Sequence, residues 1–241
     1  MIKFNARNLY RALDMAAVGA RGAQETFPVL CHVKLETTTA GLLAESTDRY
    51  QIVRTRTAYL DDVAPETGMP TVLLHRDAIK TLLPMLKAAK DYPVSLEADA
   101  DTLRVEIYST GQVITFENAE SKTGEFPKIR SLFRLPTVER TAPATAGINP
   151  GYLKALTTLA ARHGRNVPLA LSLPEGRGPI AWTLEDWAQG MIMPVRMPET
   201  DDALNPVEQV AMMDAAPLPV GAADPDAAPA GASTTPATVD A

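Results

Sequence analysis

The chain has 241 residues, 46% of them hydrophobic, and a formal net charge of −6 at pH 7. Its only cysteine, Cys31, excludes an intrachain disulfide, and no apolar run approaches the roughly 18 residues that span a membrane. The N-terminal stretch lacks the apolar core of a secretory signal. We therefore expect a soluble protein of a reducing compartment, the cytoplasm, without a membrane partner.

Hydrophobic periodicity predicts the first elements. Residues 6–20 place apolar side chains at the spacing of one helix face. Three runs rich in Val, Ile, Leu and Thr follow at residues 28–37, 41–47 and 50–60. Each run is typical of a β-strand.

The same order of elements recurs twice further along the chain. Residues 71–90 begin as a strand and continue as a helix, in which Pro84 should cause a bend or an irregular turn. A third helix is predicted at residues 149–164, with Asn149 as its N-cap and Pro150 at its first position. Strand-like runs follow these two helices at residues 92–99, 102–110, 111–120, 167–175, 178–186 and 190–197.

This order predicts an α+β fold of three strand–helix–strand–strand–strand repeats, with a period of roughly 65–70 residues. Antiparallel sheets would form the outside, and the helices would lie on one face. We predict a two-repeat domain at residues 1–136 and a single third repeat at residues 137–197. One such unit has exposed sheet edges, so it should pair with another unit.

The C-terminal segment has a different composition. Residues 198–241 contain eight acidic residues and seven prolines but no Lys or Arg, whereas residues 1–197 carry 23 basic and 21 acidic residues. Such a segment cannot bury enough apolar surface to offset the chain entropy lost on folding. We predict that residues 198–241 form a disordered, acidic, Pro/Ala-rich tail.

Basic side chains dominate the polar positions of the three helical segments. Arg7 and Arg11 are four residues apart, as are Arg76 and Lys80, so each pair should share one helix face. A common surface of this kind would contact phosphate groups in a sequence-independent and salt-dependent way. The alternative is an ordinary solvated helix face. The candidate DNA-binding residues are Arg7, Arg11, Arg21, Arg76, Lys80, Lys87, Lys154, Arg162 and Arg165.

Residue patterns for catalysis or metal binding are missing from the sequence. His32, His75 and His163 have no metal-ligand spacing, and there is no phosphate-binding loop or nucleophile elbow. Cys31 and His32 are adjacent in a strand-like run, so their side chains should point to opposite faces. We therefore predict a binding protein without a cofactor or metal, and not an enzyme.

Four stretches in order resemble the bacterial DNA polymerase III beta sliding clamp family. They are STDRYQIVRTR from residue 46, TVLLHRDAIKTLLPML from residue 71, GEFPKIRSLFRLP from residue 124 and GMIMPVRM from residue 190. The resemblance implies a ring of strand–helix repeats whose basic helices face double-stranded DNA. It also implies a processivity factor that tethers a replicative polymerase and is served by a clamp loader.

The resemblance further implies a hydrophobic pocket for a short partner peptide that carries a Gln and apolar residues. An exposed apolar groove with a flexible Met suits peptide docking. The pocket residues implied by motif position are Thr47, Tyr50, Ile52, Pro127, Leu132, Met193, Pro194, Val195 and Arg196. For Met193 and Val195, ordinary strand packing is the alternative.

The number of predicted repeats departs from the family. Bacterial clamps have six units per chain and close as dimers, and two-domain clamps have four and close as trimers, whereas this chain shows three. A ring of twelve units would need four chains, so we expect a homo-oligomer, with a tetramer as the working hypothesis. The reduced size suggests a phage-type or plasmid clamp. The alternative function is a clamp-like adaptor or inhibitor that binds replication proteins without encircling DNA.

Overall fold

The structure is a computed structural model that describes residues 1–63, 65–133, 146–164, 167–173 and 178–195. One compact unit covers Met1–Met197. The predicted tail at residues 198–241 and the predicted domain boundary near residue 136 lie outside the described residues. Both therefore stay predictions.

Three long helices form where the sequence predicts them. Their N-cap residues are Asn5, His75 and Asn149, and the side chain of each accepts a hydrogen bond from a backbone N–H at the start of its helix. The second helix continues through Pro84, because its apolar stripe is buried in the core and tertiary packing dominates helix stability. The helices are α1 (Ala6–Gly22), α2 (Arg76–Ala89), a short α3 (Glu120–Thr123) and α4 (Pro150–His163).

Eleven strands are present in the described residues, and every pairing between them is antiparallel. The strands are β1 (Ile2–Asn5), β2 (His32–Thr38), β3 (Gly41–Thr47), β4 (Gln51–Thr57), β5 (Val72–His75), β6 (Pro93–Ala98), β7 (Thr102–Ile107), β8 (Gln112–Glu117), β9 (Leu169–Ser172), β10 (Ile180–Leu184) and β11 (Ala188–Ile192). One sheet has the order β1-β6-β7-β8, and the other has the order β5-β2-β3-β4-β11-β10-β9.

The predicted α+β class with antiparallel sheets is confirmed. The order strand–helix–three strands occurs at β1 to β4 and again at β5 to β8, and α4 is followed by three more strands. The strand expected before α4 falls largely on undescribed residues, and only Gly147 forms a bridge, with Val195. The count of three repeats therefore stays a prediction.

The seven-stranded sheet is continuous because β4 pairs with β11. Gly190 permits this close approach. A Cβ at this position would lie 2.1 Å from the Ile52 carbonyl oxygen and 2.4 Å from the Trp182 ring. The β4–β11 seam therefore joins the N-terminal strands to the last three strands in one sheet.

Helix α1 is the central element of the core. Leu9 and Leu13 of α1 belong to a buried hydrophobic cluster that also contains side chains of α2 and of both sheets. Met15 of α1 belongs to a second cluster, in which it packs with side chains of α4 and with Trp182. Thr55 of β4 donates a hydrogen bond of 3.0 Å to the Ala12 carbonyl of α1. Helix α1 therefore packs on the Thr55 face of the seven-stranded sheet and contacts both α2 and α4.

Candidate partner pocket and candidate DNA-binding surface

An apolar cavity of about 430 Å³ lies beside the β4–β11 seam. Ile52 projects into it from the face of β4 opposite to that of Thr55, which bonds α1. The cavity therefore opens on the sheet face away from the helices. We call it the partner pocket, and its lining residues are Leu30, Thr47, Arg49, Tyr50, Ile52, Pro127, Ile129, Leu132, Pro179, Met191 and Met193.

The turn between β3 and β4 forms one wall of the partner pocket. The Asp48 carboxylate accepts hydrogen bonds from the backbone N–H groups of Tyr50 and Gln51, at 3.0 and 2.8 Å. The Thr47 hydroxyl donates to the Gln51 carbonyl oxygen at 2.8 Å. These bonds fix the turn and leave Tyr50, which is 56% exposed, at the rim.

Arg49 is the only charged residue among those that line the partner pocket in the described part of the chain. Its backbone has a φ of 82°, in the left-handed region that non-glycine residues seldom adopt. Its guanidinium lies over the Phe27 ring, 4.7 Å from the centroid. This contact holds a cation at the edge of an otherwise uncharged surface.

The second wall comes from the end of the described chain. Met191 and Met193 line the pocket, and the Met193 N–H donates to the Tyr50 carbonyl oxygen at 2.7 Å. The sequence predicts that the last strand includes Met193, Pro194 and Val195, but β11 ends at Ile192. The physical reason is that Pro194 has no N–H to continue the ladder.

Two of the predicted pocket residues that the structure describes do not line the pocket. Pro194 is not among the lining residues, and Val195 instead pairs with Gly147, its N–H donating to the Gly147 carbonyl at 2.9 Å. Arg196 lies outside the described residues. The other six predicted residues, from three separate stretches of the chain, come together at the pocket.

The third wall is the segment before residue 134. Ile129 is buried together with Leu73 and Phe126, and this anchors the 3₁₀ turn Ile129–Phe133 to the sheet. Leu132 is 46% exposed and faces the pocket. Five further lining residues are not predicted from the sequence: Leu30, Arg49, Ile129, Pro179 and Met191.

A second depression lies between the three long helices. Four of the predicted DNA-binding residues line it: Arg21 on α1, Lys80 and Lys87 on α2, and Arg162 on α4. We call this depression the helix cleft. Its other lining residues are Tyr10, Asp14, Leu83 and Pro84.

The remaining predicted basic residues of α1 and α2 have local partners. Arg7 pairs with Asp91 at 2.8 Å. Arg11 lies over the Trp187 ring, 4.3 Å from the centroid, and its burial lowers the pKa of the Arg11 guanidinium. Arg76 donates to the Ala23 carbonyl at 2.9 Å and pairs with a carboxylate at 3.0 Å. The predicted common face therefore separates into three cations whose partners lie outside the cleft and the four that line it.

Two predicted residues of the third helical segment stand apart. Lys154 is exposed on α4 and does not line the helix cleft. Arg165 lies outside the described residues. Their assignment as DNA-binding residues stays a prediction.

Asp14 is the acidic residue of the helix cleft, and its side chain is only 2% exposed. Its carboxylate accepts hydrogen bonds from Arg21 at 3.1 Å and Arg162 at 2.8 Å, and the His163 Nε2 lies 3.0 Å away. Burial raises the pKa of a carboxyl group, but these three hydrogen-bonding neighbours outweigh it and lower the pKa of Asp14 to about 2. Asp14 is therefore a buried anion that joins α1 to α4.

The other titratable groups form no metal cluster in the described ranges. Cys31 lies in the 3₁₀ turn Pro28–Cys31 and not in a strand, so the expected alternation with His32 does not apply. The His32 ring contacts His75 at a centroid distance of 4.9 Å, and burial lowers the pKa of His32.

None of the described helices has the length and apolar content of a membrane-spanning segment.

Comparisons with known proteins give the fold. No protein-family model matches the chain, and no curated protein does. Among solved structures, the DNA polymerase sliding clamp from Bacillus subtilis matches at a TM-score of 0.62 with 12% identity, over 81% of this chain and 64% of that clamp. The sliding clamp from Pseudomonas aeruginosa matches at 0.62 with 14% identity, over 81% and 67%.

The DnaN sliding clamp, DNA polymerase III subunit beta, from Bartonella birtlesii was solved bound to griselimycin. It matches at a TM-score of 0.57 with 15% identity, over 81% of this chain and 66% of that chain. The chain therefore has the fold of bacterial DNA polymerase III beta sliding clamps and spans about two thirds of their length. At this identity the likeness concerns the fold alone.

Proposed function

We propose that this chain is a DNA polymerase sliding clamp, a processivity factor without catalytic activity of its own. It encircles double-stranded DNA, holds the duplex against its helices and tethers a replicative polymerase. The observation that carries the proposal is the charge of the helix layer on a clamp fold. The three long helices contain eight Lys and Arg residues and two Asp residues, and one of these, Asp14, is buried.

The helix layer suits a clamp because phosphate contacts carry no sequence information. A cationic surface without base readout lets a protein move along DNA, and its affinity depends on salt. The partner pocket supports the second half of the proposal. It lies on the other face of the sheet, so a docked peptide and the DNA would not compete for the same surface.

The partner pocket has the chemistry of a peptide site. It is apolar, and Tyr50, Leu132 and Met193 are each about half exposed at it, at 56%, 46% and 46%. Exposed apolar groups of this kind become buried when a partner docks. The proposed ligand is a short segment of the polymerase, or of the clamp loader, with a Gln and apolar side chains.

Retention on circular DNA tests the encircling role. The protein is incubated with a nicked circular plasmid, at concentrations that allow spontaneous loading, and the complex is isolated by gel filtration. A clamp stays on the circle in moderate salt and is lost after the plasmid is linearised. If the protein is retained equally on circular and linear DNA, or is not retained on the circle, the result contradicts encirclement. Either result favours the adaptor or inhibitor.

We further propose that copies of the chain associate into a homo-oligomer. Strands β8 and β9 are at the ends of the two sheets as described, and each carries an exposed apolar side chain, Val113 and Leu171. Such edges favour pairing with another chain. Native mass spectrometry is expected to give a multiple of the 25.9 kDa chain mass, with a tetramer as the working hypothesis. A monomer at micromolar concentration contradicts it.

A further inference from the structure

We infer that the helix cleft is the principal phosphate-binding site of the helix layer and that Asp14 is its positioning residue. The inference rests on the proposed function and deepens it, since it separates the cations that bind DNA from those that stabilise the fold. The ligand is the phosphate backbone of duplex DNA.

The two arginines of the cleft are fixed by one carboxylate. Arg21 donates to Oδ1 of Asp14 and Arg162 to Oδ2, while both arginine side chains remain 49% exposed. A guanidinium has five N–H donors in a planar fork, so each arginine retains donors that face solvent. The buried Asp14 thereby orients two guanidiniums from different helices before any ligand binds.

His163 strengthens this arrangement from the interior. Its side chain is 5% exposed and lies beside the second oxygen of Asp14, and its ring makes edge contacts with Tyr10 and Trp187. The Asp14 carboxylate is therefore held by His163 on its interior side and by the two arginines on the side of the cleft. A fixed carboxylate reduces the conformational entropy that the arginines lose when they bind a phosphate.

The opposite wall supplies two further cations. Lys80 and Lys87 are seven residues apart on α2, so they lie two turns apart on one face, and both are exposed. Neither makes an ion pair with a residue that the structure describes. The cleft therefore presents four cations against one buried anion.

The predicted DNA-binding cations of α1 and α2 that lie outside the cleft have different partners. Arg7 and Arg76 are each within 3.0 Å of a local carboxylate, and Arg11 is stacked on Trp187 and lies 3.9 Å from Glu185. Asp91 and Glu25 are exposed carboxylates that would repel a phosphate at Arg7 and Arg76, whereas the carboxylate that holds Arg21 and Arg162 is buried. Substitutions at the cleft should therefore weaken DNA binding more than substitutions at Arg7 or Arg76.

The test compares Asp14→Asn with Asp77→Asn in full-length protein. Each substitution removes one negative charge from the helix layer, and Asp77 is an exposed acid of α2 outside the cleft. Binding to a short fluorescein-labelled duplex is measured by anisotropy between about 50 and 200 mM salt. If only net charge mattered, both variants would bind more tightly and equally.

The positioning role predicts opposite signs for the two variants. Asp77→Asn binds slightly more tightly, and Asp14→Asn binds at least about fivefold more weakly with a salt slope reduced by about one to two, because the arginines lose their orientation. Equal gains in both variants overturn the inference. Absence of salt-dependent duplex binding by the unmodified chain also overturns the inference. Absence of retention on the nicked circular plasmid overturns the proposed function itself, so the two failures are distinguishable.

A charge-conserving variant decides the question if Asp14→Asn does not fold. The double variant Arg21→Lys and Arg162→Lys keeps both charges but removes the planar forks, and the matched control is Lys80→Arg and Lys87→Arg. We expect about threefold weaker binding for the first pair and no loss for the second. Equal affinity of the two pairs overturns the positioning role.

Discussion

The partner pocket and the helix cleft lie on opposite sides of the seven-stranded sheet, and they differ in how they are built. The pocket is assembled from five separate stretches of chain around the β4–β11 seam, and Arg49 is its one charged lining residue as described. The cleft is lined by three helices and four cations around a buried carboxylate. One surface is suited to recognise shape and apolar area, and the other to recognise charge.

The two surfaces should differ most in how strongly salt weakens the binding of their ligands. If four cations of the helix cleft each neutralise one phosphate, DNA affinity should fall about a hundredfold between 50 and 200 mM salt, because counterions are released on binding. Binding of a Gln-containing apolar peptide to the partner pocket should change by less than about twofold over the same range. Parallel salt slopes for the two ligands would show that they share one surface.

Truncation of the pocket should affect only the partner. The double variant Leu132→Ser and Met193→Ser removes two half-exposed apolar side chains, each worth about 1 kcal/mol when a peptide covers it. Peptide affinity should fall about thirtyfold in calorimetry. DNA affinity and the thermal midpoint should change little.

The matched control uses exposed apolar side chains away from the pocket. Val63→Ser and Tyr92→Ser remove residues that are 69% and 59% exposed and do not line the pocket. They should leave peptide affinity unchanged. A cooperative loss of the fold in the Leu132 and Met193 variant would instead favour ordinary strand packing at Met193.

The two surfaces also differ in how far the sequence predicts them. Six pocket residues follow from family-like motifs, because short motifs keep their local conformation in the fold. Met191 could have been found from its spacing of two from Met193, which places both on one strand face. Leu30 and Pro179 carry no such signal, since only the tertiary arrangement brings them to the seam.

The helix cleft is harder to predict from the sequence than the partner pocket, because it depends on pairings between distant residues. Helical spacing identifies basic faces on each helix, but it does not show which cations are already paired. The sequence does not single out Asp14, because its partners Arg162 and His163 lie 148 and 149 residues further along the chain. Likewise, Val195 bridges with Gly147, a distant partner that local spacing does not identify.

A fall in pH should destabilise the helix cleft, through protonation of Asp14, before it changes the partner pocket. The pKa of Asp14 in the folded chain is about 2, below the ordinary value of 3.8, so its ionised form stabilises the fold. That stabilisation is complete above the unfolded-state pKa and is lost as the pH falls from about 4 through about 2.

The contribution can be measured by denaturant unfolding of the chain and of Asp14→Asn. The difference in unfolding free energy should be about 2 kcal/mol larger near pH 5 than near pH 2. A difference that is constant over this range would show that the hydrogen bonds to Asp14 do not favour its ionised form.

The smallest expected effect concerns the one cation of the partner pocket. Arg49→Asn keeps a residue that tolerates the left-handed backbone but removes the contact with Phe27, so the unfolding free energy should change by less than about 1 kcal/mol. If Arg49 steers acidic groups of the partner, its removal should abolish the residual salt dependence of peptide binding and lower affinity about twofold. The control is Arg7→Asn, which removes a cation paired with Asp91 on the helix side and should leave peptide binding unaltered. Equal effects of the two substitutions would mean that Arg49 contributes only long-range charge, and the pocket would then recognise its partner by apolar area alone.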